Sequence, residues 1–249
     1  MPVTWTLSWI ELKLFLREPV TVVFTLALPP LVLYVLAEVF GNTPDPQGQV
    51  YRGVGAMDFY TPAYIALIIA SLGLIGLPVH VASYRERGVL RRFQAARMPI
   101  RAIVVSQLVV LFAAVVAGAV IVVTLAKITY HVAWPVSWAG VLLAVLIGVL
   151  AFAAIGVLLG AAMPTARAAQ GLGVLLWFLM LMVSGGGPPP EVLGGPLRTI
   201  ATFTPLKHLI IAVQDPWLGR GTNWTELAIV AGILVAASAL AVPTLRKRT

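Results

Sequence analysis

The side chains able to do chemistry in this chain are few, and their spacing points to docking rather than catalysis. The three histidines, His80, His131 and His208, are scattered, and no His-Glu-x-x-His pair presents a metal site. No Gly-x-Ser-x-Gly elbow exposes a nucleophile, no Gly-Lys-Ser/Thr loop cradles a phosphate, and cysteine is absent. No carboxylate pair lies mid-membrane. His80 reads as an interfacial residue, and Glu38 as a hydrated group at a span end. Intrinsic catalysis and proton coupling are therefore not expected. What stands out is a run of arginines, Arg85, Arg87, Arg91, Arg92, Arg97 and Arg101, gathered around Glu86, Gly88, Leu90 and Phe93. Helix formers dominate from Val89 to Arg97, and Pro99 ends that helix. Leu90 and Phe93 share one face at i, i+3, while Arg91 and Arg92 point elsewhere. An apolar pair ringed by arginines suits a protein partner. The plainer alternative is a basic topology signal beside anionic lipid.

The elements that must carry this stretch are membrane helices. The chain has 249 residues, 60% apolar and 10% charged, with a mean hydropathy of +0.97. Soluble domains carry about 25% charged residues, so a single soluble fold of this length could not cover its surface. The expected fold class is an all-α polytopic membrane protein, one transmembrane domain over 1–249. A span needs about 20 largely apolar residues, and six are read: 20–40, 59–82, 102–126, 137–163, 168–184 and 227–245. Pro29 and Pro30 should kink the first. Trp134-Pro135 reads as an interfacial lead-in to the fourth, although the uncharged stretch from Ile128 to Ala166 is long enough for a hairpin. No basic segment precedes the first apolar stretch as in a signal peptide, so the first span is expected to stay.

Six spans put both termini on one side. Twelve of the seventeen lysines and arginines fall on that side with three of the nine carboxylates, giving net +9 against −1 opposite. The positive-inside rule makes the basic side cytoplasmic, as expected for a multi-pass protein of the plasma (inner) membrane. The overall charge of +8 thus belongs to loops, and no nucleic-acid partner is expected.

Three further segments are distinctive. In 1–18, Trp5, Trp9, Leu12 and Leu16 form one helical stripe, with Lys13 and Arg17 to one side and Glu11 and Glu18 on the other. This predicts an amphipathic helix lying in the interface, either an anchor or a mechanical element. In the outer segment before the last span, Ser184-Gly-Gly-Gly-Pro188-Pro189-Pro190 cannot continue a helix. The apolar but broken stretch 191–214, with Pro205 and Leu206, then reads as a re-entrant or surface-lying helical pair, or as an ordinary extracellular loop. In the fourth span Gly140, Ala144, Gly148, Gly156 and Gly160 recur at four-residue steps interrupted by Phe152. That spacing predicts close packing against a helix of the same or another subunit.

Taken together, these parts resemble the permease subunits of ABC-2 type ATP-binding-cassette exporters. Glu86-Arg87-Gly88-Val89-Leu90-Arg91-Arg92-Phe93 before Pro99 resembles the family's Glu-x-Gly-x-Leu-x-x-Leu pattern, with Phe93 at an aliphatic position. Thr204-Pro205-Leu206 resembles its Asn-Pro-Leu, with threonine for asparagine. The resemblance implies that 85–97, with Arg85, Glu86, Arg87, Gly88, Leu90, Arg91, Arg92 and Phe93, is a coupling helix seated in a separate ATPase subunit. That subunit would bind the ATP and magnesium, leaving this chain with no cofactor of its own. The interface helix would lie beside it, and 191–214 with Pro188 to Pro190 would form an outer gate. Two permease subunits, identical or homologous, would move a lipophilic or amphipathic, drug- or antibiotic-like molecule between them, lined by the first, second and fifth spans. The competing readings are a secondary transporter or channel without an ATPase, and a membrane scaffold.

Overall fold

In the computed structural model, residues 3–17, 19–44, 50–88 and 100–248 are described. They are helical, with no strand among them. Helix α1 (Val3–Leu16) comes first. Six helices are long and apolar enough to cross a membrane: α2 (Val23–Phe40), α3 (Ala56–Glu86), α4 (Ile100–Tyr130), α5 (Trp138–Ala162), α6 (Ala166–Val183) and α9 (Trp224–Arg248). Between α6 and α9 lie α7 (Gly195–Ala201) and α8 (Pro205–Trp217). The all-α polytopic class read from composition is the class observed.

Proline shapes α2 and α3 without ending either. A proline ring inside a helix collides with the carbonyl four residues back. For Pro29 and Pro30 those residues are Thr25 and Leu26, and for Pro78 it is Leu74. All three fall inside π turns, Val23–Ala27 in α2 and Leu72–Gly76 in α3. The wider turn moves the offending carbonyls aside, so the disruption expected at Pro29–Pro30 takes the form of a π turn.

Helix α3 is the hub. Of its most apolar stretch 89% is buried, against 22–50% in the other five spanning helices. α2, α4, α5, α6 and α8 all pack on it, α9 packs on α5, and α1 lies along α4. A helix buried on every side cannot be amphipathic, and α3 accordingly shows no polar face from Ala56 to Leu77. Two of its small hydroxyls are satisfied within the helix: Thr61 Oγ1 donates to the Met57 carbonyl at 2.7 Å and Ser71 Oγ to that of Leu67 at 2.9 Å.

The glycine stripe of α5 faces partners within the same chain. A Cβ at Gly140 would stand 2.7 Å from Pro216 Cβ, one at Gly148 2.5 Å from Leu209 Cδ1, and one at Gly160 2.7 Å from Val81 Cβ. The interruption at Phe152 has a complement, because the backbone and Cβ of this buried residue lie against Gly73 of α3. The two helices exchange one large residue for one glycine and keep the close approach throughout.

At the end where α3 begins, Asn42 closes the fold. Its Oδ1 accepts from the backbone N–H groups of Met57 (2.9 Å) and Asp58 (3.1 Å), two donors left open at the helix start. Asp58 Oδ1 in turn accepts from Ala133 N–H at 2.9 Å. The loop after α2, the start of α3 and the chain beyond α4 are joined there.

Candidate functional site

The arginine-rich end is built on the last turns of α3. Gly88 explains where the helix stops: it takes φ +63°, and its N–H bonds the Arg85 carbonyl at 3.1 Å. Left-handed backbone after the last helical turn is the usual role of glycine at a helix C-terminus. The helix expected over 85–97 therefore cannot begin at Arg85, since Arg85 and Glu86 close α3. Leu90, Arg91, Arg92 and Phe93 lie outside the described residues. Glu86 and Arg87 are exposed.

Arg85, which the motif groups with the coupling residues, is placed against the end of α5. Its guanidinium donates to the carbonyls of Ala161 (2.5 Å), Met163 and Pro164 (3.1 Å). These are carbonyls at the C-terminal end of α5 that lack helical partners. A fork of charged donors satisfies them and ties the basic end of α3 to that of α5. Arg85→Ala is expected to lower stability by about 1.5–3 kcal/mol, the usual worth of hydrogen bonds to a charged group. Arg85→Lys should recover part of this. Thermal unfolding of the purified chain in detergent measures both.

Helix α1 buries a face that the stripe of apolar residues did not foretell. Trp9 and Leu16 are exposed, and only Leu12 packs partly on the core. The Trp5 side chain lies outside the described residues. Among the described side chains of α1 the fully buried one is Glu11, which accepts a hydrogen bond from Tyr84 Oη on α3. Lys13 sits over the Trp9 ring at 5.3 Å, and Arg17 is exposed. A hydrophobic stripe was legible in the sequence. A carboxylate turned inward toward a tyrosine many residues away leaves no local signal.

At the opposite end, the segment from Ser184 to Trp217 folds onto α3 and α5. Pro205 opens α8, and Leu206 is fully buried behind it. The Thr204 hydroxyl donates to the Ala201 carbonyl at 2.7 Å and meets Ser184 Oγ at 2.9 Å. Pro189 is buried, and Pro188 and Pro190 are half-buried. Just before them, Tyr60 Oη donates to the Gly187 carbonyl at 2.7 Å. α8 runs antiparallel to α5, from Leu209 beside Gly148 up to Pro216 beside Gly140 at the α5 start. It reaches well below the α5 start, as a helix returning into the membrane would. The irregular backbone of 184–190 is buried or half-buried, the condition under which a bilayer tolerates it, whereas 191–203 is exposed apart from Leu193 and Ala201.

This outer segment is bolted by polar contacts that the sequence reading did not single out. Arg52 pairs with Asp215 at 2.7 Å and donates to Gln214 Oε1 at 3.3 Å. Gln214 Nε2 donates to the Phe59 carbonyl at 2.9 Å, and Asn223 Nδ2 to Asp215 Oδ2 at 2.7 Å. His208 meets Glu226 at 2.5 Å, joining α8 to α9. Arg52 itself is in left-handed backbone (φ +57°), a strained conformation its bonds to α8 hold in place. A usable clue was Gln214-Asp215 at the end of an apolar run.

Among the described residues, buried polar atoms without a hydrogen-bond partner include Thr25 Oγ1 on α2, Tyr64 Oη on α3 and Trp177 Nε1 on α6 within the spans, and Trp217 Nε1 on α8. Trp177 also packs edge-on against Phe24 at 5.0 Å. Buried polar atoms are normally satisfied. Those within the spans fall on the first, second and fifth. Among the described residues, no group of His, Asp and Glu could hold a metal.

Comparison with known families agrees with this architecture. The family model described as ABC-2 type transporter matches residues 2–216, from α1 through α8. No curated protein matches the chain.

Proposed function

Since this chain belongs to the ABC-2 type transporter family, and is thus the permease component of an ATP-binding-cassette transporter, we propose that it works as the membrane half of an ATP-driven exporter. The observation that carries the reading is the match over 2–216, which covers the motif segment, the hub helix and the returning helix together. A separate ATPase subunit binds ATP and magnesium and drives the cycle. A second permease, identical or homologous, completes the path. Both termini face the cytoplasm across the plasma (inner) membrane.

The unpaired polar atoms of Thr25, Tyr64 and Trp177 support a path lined by α2, α3 and α6, where a passing molecule would supply the missing partners. An otherwise apolar lining favours a lipophilic or amphipathic, drug- or antibiotic-like substrate. Closure of the ATPases moves the segment after Gly88. Because Gly88 ends the hub helix, that push reaches α3 directly, α5 through Arg85 and α1 through Tyr84. At the far end it reaches the Tyr60–Gly187 contact that holds the proline run. Alternating access then follows as a shift between two packed arrangements.

The test is flux of a fluorescent amphipathic dye in proteoliposomes. Vesicles holding the chain with its co-expressed ATPase should accumulate dye only with ATP and magnesium. Vesicles holding the chain alone should show none under an imposed ion gradient. Gradient-driven flux by the chain alone would establish the secondary-transporter reading instead.

A further inference from the structure

Both ring nitrogens of His208 face acceptors. Nδ1 lies 2.5 Å from Glu226 Oε2 in the first turn of α9, and Nε2 lies 2.9 Å from the Thr202 carbonyl just beyond α7. A carbonyl oxygen can only accept, so Nε2 must carry hydrogen. A neutral ring then has a bare Nδ1, which cannot bond an ionised carboxylate. Both contacts close together only when the pair holds one further proton. A carboxyl group is ordinarily the stronger acid, so that proton sits on the ring. The two side chains are 13% and 17% exposed, open enough to exchange a proton with the outside and shielded enough to give the ion pair weight.

The packed elements bring few other charges to this ring. α5 has no titratable residue, and α6 has only Arg167, at its opposite end. On α9 the next charged residue after Glu226 is Arg246. In the outer half of α3, Asp58 is held by Asn42 and Ala133, Tyr60 donates to the Gly187 carbonyl, and Tyr64 is buried. α8 itself carries Lys207 and Asp215, the latter paired with Arg52, and α7 carries the exposed Arg198.

We propose that His208 is a pH-sensitive clasp: its imidazolium ties the end of α7 to the start of α9, and losing one proton releases one of these contacts. The clasp is complete at lower pH and is lost as pH rises through the titration of the ring. Resting on the export reading above, this names a regulation of the outer segment, held closed by an acidic exterior and loosened by an alkaline one. Glu226→Gln should remove the pH dependence without opening the clasp. A side-chain amide can donate to the bare Nδ1, so a neutral ring keeps both contacts.

The full chain labelled with 15N-histidine, in phosphatidylcholine bilayers without ATPase or ATP, is titrated by solid-state NMR from about pH 5.5 to about pH 9, across the histidine range. The His208 signals are those absent from His208→Gln. Both nitrogens should be protonated at the acid end, and one should lose its proton as pH rises. Amide hydrogen exchange over 199–210, corrected for the pH dependence of chemical exchange, should quicken about tenfold over the same range, the worth of one hydrogen bond to a charged group. In Glu226→Gln it should stay constant. A ring that is neutral at the acid end overturns the proposal, as does unchanged protection in the wild type or an equal loss of protection in Glu226→Gln. If Glu226→Gln fails to fold, the wild-type titration and exchange still decide. Neither measurement needs transport, so the clasp and the export reading can fail separately.

Discussion

Gly173→Ala is expected to destabilise the protein by about 3 kcal/mol or more, while Gly171→Ala, two residues earlier on the same helix, stabilises it by up to about 1 kcal/mol. The two glycines look alike in the sequence and stand on opposite faces of α6. Around Gly171 nothing lies within 4 Å of a new Cβ, so alanine only adds helix propensity. Around Gly173 a new Cβ would meet the Leu74 carbonyl oxygen, with the carbonyl carbon only 2.9 Å away. Those atoms are backbone, and they belong to the π turn of the hub helix. No rotamer change relieves such a clash. Either α6 moves away from α3 along its length or the π turn is reshaped, and both loosen the packing around Trp177, which is 1% exposed. Thermal unfolding of the two purified variants in the same detergent tests the contrast. Equal shifts would mean that α6 does not approach α3 as closely as the structure places it.

That contrast shows which parts of the molecule can be read from its residues. Spans were legible because apolar length is a local property, and the class followed from it. The glycine steps of α5 announced a close neighbour without naming it, since a small residue says how near a helix comes but not which one. Phe152 looked like a break in the pattern only because its complement, Gly73, lies on another helix. Arg85 stood in a recognisable motif, yet its bonds run to α5 carbonyls that no spacing rule connects to it. Glu11 was assigned to a solvated flank by helical periodicity, and tertiary packing turned that flank inward. Charges on a membrane protein's surface helices obey periodicity only where water lies on the far side. α1 lies along α4 instead, so its polar flank became an interior face. Arg52, Gln214 and Asp215 were missed for the same reason: each finds its partner across a long separation in the chain.

Replacing Leu90 and Phe93 together by aspartate is expected to abolish co-purification of the ATPase subunit, with membrane insertion intact. The expectation rests on the sequence at i, i+3 and on what surrounds it. Arg85 and Glu86 are part of α3, and Gly88 turns the chain out of the helix. A contact made just beyond Gly88 is therefore coupled to the hub by only a few residues. Two apolar anchors at the centre of such an interface carry most of its energy, each about 2 kcal/mol, so losing both weakens association close to a thousandfold. Introducing two carboxylates that cannot be hydrated in a closed interface adds to the loss. Arg91→Ala and Arg92→Ala should behave differently. As rim charges they steer the encounter, so their loss should be modest and should shrink further at high salt. Pull-down of a co-expressed ATPase at low and high salt, with the membrane fraction assayed for the chain, separates these outcomes. ATPase retention unchanged in Leu90→Asp/Phe93→Asp would remove this segment from the coupling interface. Salt-sensitive loss in the arginine variants alone would reassign it to anionic lipid, the reading that a basic loop beside a membrane suggests by itself.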